Sequence, residues 1–143
     1  MRALLDVNVL IALLDSEHTF HRVALQWLEA NLRHGWASCP ITQNGCIRIL
    51  SQPNYPNAAT PARVASHLAE ATTQKEHVFW ADDVNLLAAR TIDWSRILGS
   101  RQVTDAYLLA LALKHKGKFV TFDQNIPINA VPGATAKHVE ILQ

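Results

Sequence analysis

Asp6, Asp105 and Asp123 are the residues whose type and setting call for chemistry. Asp6 lies between Leu4-Leu5 and Val7, with Val9 close behind. Asp105 precedes Tyr107 and Leu108, and Asp123 ends the run Phe119-Val120-Thr121-Phe122. A carboxylate among apolar neighbours is costly to ionise without a partner. Three carboxylates gathered at one place also repel one another. A hard divalent cation relieves both problems, and all-oxygen ligands suit magnesium, with manganese as a substitute. Each acid has a local explanation too. Asp6 can cap a helix, Asp105 can favour a helix N-terminus, and Asp123 can open a turn in Asp123-Gln124-Asn125.

The choice depends on which elements carry these residues. Ala3-Leu4-Leu5 reads as a strand, followed by a helix over "VNVLIALL". Phe20, Val23, Ala24, Trp27, Leu28 and Leu32 keep helical spacing, with Gly35 as a stop. Trp36 to Cys39 reads as a second strand. Asn44-Gly45 in "CPITQNGCIRIL" is a hairpin signal. A helix capped by Thr42 fits the alternating order better. Thr60-Pro61 starts a helix to about Thr73, "HVFWADD" is a third strand ending in acids, and Asp83 is placed to cap a helix over "VNLLAAR". "VTDAYLLALALKHKG" is the clearest helix, with Thr104 as its cap and Gly117 as its stop. "KFVTFD" and "HVEIL" supply a fourth and a fifth strand. Alternating strands and helices predict one α/β domain over residues 1–143: a three-layer α/β/α fold with a mainly parallel, five-stranded sheet. Ligands of such sheets gather beyond the carboxyl ends of the strands, the edge where Asp6 and Asp123 fall.

Composition narrows the classes further. Apolar residues make up 49% and charged residues 17%, and the formal net charge is +1. That balance argues against disorder and against charge-driven binding to any nucleic acid, while leaving room for a selective phosphate site. The apolar start is interrupted by Asp6 and Asn8 and is too short to span a bilayer, so no membrane role and a cytoplasmic location are expected. Cys39 and Cys46 form neither a CxxC nor a zinc pattern and read as buried free thiols. Asp82, Asp83 and Asp93 are accounted for by capping.

The blocks "LLDVNVLIALL", "CPITQNGCIRILS", "VTDAYLLALAL" and "FVTFD", in this order and spacing, resemble the PIN domain. More narrowly, the chain is similar to the VapC toxins of bacterial toxin–antitoxin pairs. The resemblance implies a PIN fold and a magnesium-dependent endoribonuclease with a quartet of acids. It also implies a VapB-type antitoxin as partner, RNA as substrate and a homodimer. Asp6, Asp105 and Asp123 match the first, third and fourth acids. Gln43 stands where relatives carry the second acid, a Glu, which puts metal stoichiometry in question. In this scheme Asp6 and Asp105 hold the metal and Asp123 supports a second ion or a bound water. Asn8, Asn44, Arg48, Arg101 and Thr104 are candidates to orient the carboxylates or meet phosphate. Two alternatives stand beside it. One is a PIN-like protein that binds RNA or antitoxin but cleaves poorly because of Gln43. The other is an aspartate-nucleophile phosphatase, for which Asn8 replaces the needed second Asp.

Overall fold

A computed structural model describes all 143 residues. Five parallel strands form the sheet: β1 (Ala3–Leu5), β2 (Trp36–Ser38), β3 (His77–Phe79), β4 (Lys118–Thr121) and β5 (Val139–Ile141). Their order is β3-β2-β1-β4-β5, so β1 and β4 are neighbours near the middle although far apart in sequence. Helices α1 (Val7–Leu14), α2 (His21–Asn31), α3 (Pro40–Leu50), α4 (Pro61–Thr72) and α5 (Arg101–Lys114) make the crossovers. β1 and most of β4 are fully buried, as continuous apolar parallel strands require.

The period of two along each strand divides the core. Leu4, Ala37, Cys39 and Phe119 pack with α5, including Tyr107, Leu108 and Leu111. Ala3, Leu5, Trp36 and Val120 pack on the opposite face with residues of α1, α3 and α4. Both thiols are free and buried. This is the three-layer α/β/α arrangement expected from the sequence.

Three local expectations are corrected. Thr42 does not cap α3: the helix begins at Pro40, and the Thr42 hydroxyl turns back to accept from the Cys39 N–H at 3.0 Å. Asn44-Gly45 lies inside this helix, because α1 and α3 touch there. A Cβ on Gly45 would come 2.7 Å from Cγ2 of Val7. Thr104 does not cap α5 either. The helix starts a turn earlier, at Arg101, and the Gln102 side chain accepts from the Leu98 N–H at 2.8 Å. The helix expected over "VNLLAAR" is absent. There the Asn85 side chain accepts from the Leu87 N–H at 3.0 Å, an Asx turn that draws the chain away from helix. Leu87 stays 86% exposed and Arg90 takes a left-handed φ of 69°.

Candidate active site

Asp6 leaves the C-terminal end of β1 and caps α1, its Oδ1 accepting from the Val7 N–H at 2.7 Å. Its other oxygen accepts from the Thr121 hydroxyl at 2.6 Å. Thr121 is the last residue of β4, and its oxygen also accepts from the Asn8 amide at 3.3 Å and the Asp123 N–H at 3.0 Å. Asn8 closes the ring by accepting from the Phe122 N–H at 3.3 Å. Capping and site placement are therefore one arrangement. The bond that starts α1 also fixes Asp6 at the sheet edge, and the β1–β4 pairing brings Asp123 to it.

The electrostatics of this edge are unfavourable as they stand. Asp6 is 7% exposed, and burial raises its pKa. Its bonds to Thr121 and Val7 offset part of that rise, and the Asp123 charge adds to it. Asp105, in the second turn of α5, is pushed up to about 7. Burial is the main cause, followed by the charges of Asp6 and Asp123 and the closeness of the Asp123 carboxyl. No cation of the chain pairs with any of the three acids. No three carboxylates, imidazoles or thiols enclose a single point. The donors are all oxygens, and a cation would be held by one or two carboxylates with water completing its shell, which suits magnesium.

A cavity of about 530 Å³ opens beside Asp6, lined among others by Ile41, Asn44, Arg48, Asp82 and Thr104. On α3 the residues 41, 44, 45 and 48 share one face, and that face meets the cavity. Gln43 is about 100° away from it around the helix. Its amide donates to the Ser38 hydroxyl at 3.0 Å, and Ser38 in turn meets Nε2 of His77 at 2.8 Å. The structure therefore does not bring Gln43 to the cavity; helical phase takes Asn44 there instead. Arg101 stands exposed in the first turn of α5 and, like Asp105 and Asp123, is not part of the cavity lining. Asn8 reaches the carboxylates only through Thr121. Asp82 is the residue that sequence reasoning passed over. It ends "HVFWAD" on the same strand edge as the other acids, and that position was the available signal.

A parallel sheet with unpaired acids beyond the ends of β1 and β4 defines a class of site for a charged ligand. The PIN domain family model matches residues 3–132. The chain is 54% identical over 142 residues to Ribonuclease VapC44 of Mycobacterium tuberculosis, covering 99% of this chain and all of that one. It is 41% identical over 134 residues to Ribonuclease VapC39 of the same species, covering 93% and 96%. The chain thus belongs to the PIN domain family, in its VapC branch. A solved structure of VapBC2 from Rickettsia felis bound to a promoter DNA fragment shares the fold. Its TM-score is 0.63, with 13% identity and full coverage of both chains.

Proposed function

We propose that the chain is the toxin of a toxin–antitoxin pair, an endoribonuclease that works with magnesium, neutralised by a VapB-type antitoxin and acting as a homodimer. One observation carries the catalytic part: three carboxylates sit unpaired at one sheet edge, Asp6 nearly buried and Asp105 raised to about 7. The names of the VapC relatives support RNA as the substrate, and the VapBC neighbour supports an antitoxin partner.

Asp6 and Asp105 would hold the cation, with Asp123 supporting a bound water. When bound, magnesium supplies charge at the phosphate and lowers the pKa of a water that attacks in line. The chain's own residues do the rest. Thr121 and the Val7 N–H fix both oxygens of Asp6, so the carboxylate is oriented before substrate arrives. Arg48 and Asn44 face the cavity beside Asp6, where phosphate oxygens would lie. Asp105 must give up its proton for a cation to bind, so metal affinity rises with pH through about 7. The phosphatase alternative lacks its second acid: Asn8, an amide with no carboxyl proton to donate, stands there and bonds to Thr121 and Phe122.

The test is cleavage of total RNA by the purified chain with magnesium or with EDTA, alongside Asp6→Ala and Asp105→Asn. Cleavage that needs the metal and is lost in both variants is expected. Undiminished cleavage in either variant overturns the assignment.

A further inference from the structure

We propose that Asp82 is a further acid of this site, a positioning carboxylate at the mouth of the cavity that reaches the cation through water from the β3 edge. The proposal rests on the metal reading above. Just before Asp82, the Trp80 N–H donates to the Ser38 carbonyl at 2.9 Å, so the chain tracks β2 one step beyond the end of β3. Asp82 then lines the cavity that holds Asp6, together with Arg48 and Thr104.

Its neighbour Asp83 provides the contrast. Asp83 pairs with Lys114 at 3.4 Å and with His115 at 3.3 Å, on the outside of α5. Asp82 pairs with no cation. A second feature concerns a buried neighbour of Asp82. Tyr107 is 4% exposed, and its hydroxyl has no hydrogen-bond partner of standard geometry. The groups that act on this hydroxyl are the Asp82 carboxylate, the Cys39 thiol and the Val84 backbone. A buried phenol without a partner is costly. A small inward turn of Asp82 gives the O–H its acceptor and leaves the second carboxylate oxygen to the cavity. Tyr107 lies two residues beyond Asp105 on α5, about 200° around the helix, so it meets Asp82 from a different face than the one that carries Asp105. Gln43 brings no charge here. Asp82 thus supplies the fourth negative charge from the segment that follows β3.

The experiment is titration of the metal-free full chain with Mn2+ at pH 8, read by electron paramagnetic resonance, with thermal melting run in parallel. The proteins are wild type, Asp82→Asn, Tyr107→Phe, Asp83→Asn and Asp6→Asn. Loss of an outer ligand typically weakens metal binding by about 10- to 100-fold, so Asp82→Asn is expected to fall by about tenfold. Tyr107→Phe is expected to fall by a smaller factor, and Asp83→Asn to bind as wild type. Asp82 is exposed, so its isosteric variant keeps the fold and the melting temperature. Wild-type affinity in Asp82→Asn, with binding lost in Asp6→Asn, overturns the role of Asp82 alone. Wild-type affinity in Asp6→Asn overturns the metal site itself. A weakened Asp82→Asn beside an unchanged Tyr107→Phe keeps the acid and removes Tyr107 as its support.

Discussion

Asp105 and Glu140 are both half-buried carboxylates near the sheet, and the protein treats them in opposite ways. Glu140, in β5, accepts from the Lys118 ammonium at 2.5 Å and from the Trp27 indole at 2.9 Å. Burial alone would raise its pKa, but these two partners outweigh burial and hold it below the ordinary range. Asp105 has no such partners; its nearest charges are other acids, and it rises to about 7. Where the fold needs a carboxylate for structure, it supplies donors. At the ends of β1 and β4 it withholds cations, and that frustration marks a site kept for something else.

Removing the frustrated charge sharpens this contrast most. Asp105→Asn is expected to lower RNA cleavage at least about a hundredfold, as loss of a principal electrostatic group does. The same variant is expected to stabilise the metal-free protein. With a folded pKa of about 7 against the ordinary value of 3.8, the native state holds this proton more tightly than the unfolded chain. The stability contributed by protonated Asp105 is therefore present at low pH and declines as pH rises from about 4 to 7. In EDTA at pH 8, denaturant unfolding of Asp105→Asn should show a gain of about 1–2 kcal/mol, the full shift being discounted for partial exposure. A variant both inactive and no more stable breaks the comparison.

The next effect tests how the site edge is built. Gly45→Ala gains up to about 1 kcal/mol of helix propensity, yet the new methyl meets the stiff side chain of Val7 at 2.7 Å. Overpacking typically costs about 1–3 kcal/mol, so a net loss of about 1 kcal/mol is expected. Val7 carries the N–H that holds Asp6, and cleavage should fall with it. A gain in melting temperature would show that α1 and α3 have room to part.

Much of this was legible in the sequence because the strands are short, apolar and separated by clear helices. The parallel order put Asp6 and Asp123 on one edge without knowledge of any side-chain contact. Helix phase and starting points were harder to read. Pro40 and Arg101 open their helices two or three residues before the threonines that look like caps. In α5 this leaves Thr104 free for the cavity, and in α3 it turns Asn44, rather than Gln43, toward Asp6. Local capping rules also hid Asp82. Adjacent Asp82 and Asp83 look equivalent in sequence, and only the packing of α5 separates a paired acid from an unpaired one.

A smaller effect is expected on the structural side of the comparison. Glu140→Gln removes a part-exposed ion pair and keeps a hydrogen-bond acceptor for Trp27, so a cost of about 0.5–1 kcal/mol is expected. It should vanish at high salt and leave cleavage unchanged. If cleavage fell with it, the separation between satisfied and frustrated carboxylates would not hold.

The smallest effect belongs to Gln43, although sequence reasoning would have ranked it high. Its amide donates to Ser38, leaving the Ser38 proton for Nε2 of His77. Burial depresses the pKa of His77, which favours the neutral ring that can accept. Gln43→Glu replaces the donor by an acceptor, so Ser38 must choose between the new carboxylate and His77. One neutral hydrogen bond is lost, worth about 1 kcal/mol at most. The new charge sits off the cavity face of α3, so Mn2+ affinity should stay within about twofold of wild type. A tenfold gain would mean that α3 rotates to present position 43, and that Asp82 is not the acid replacing it.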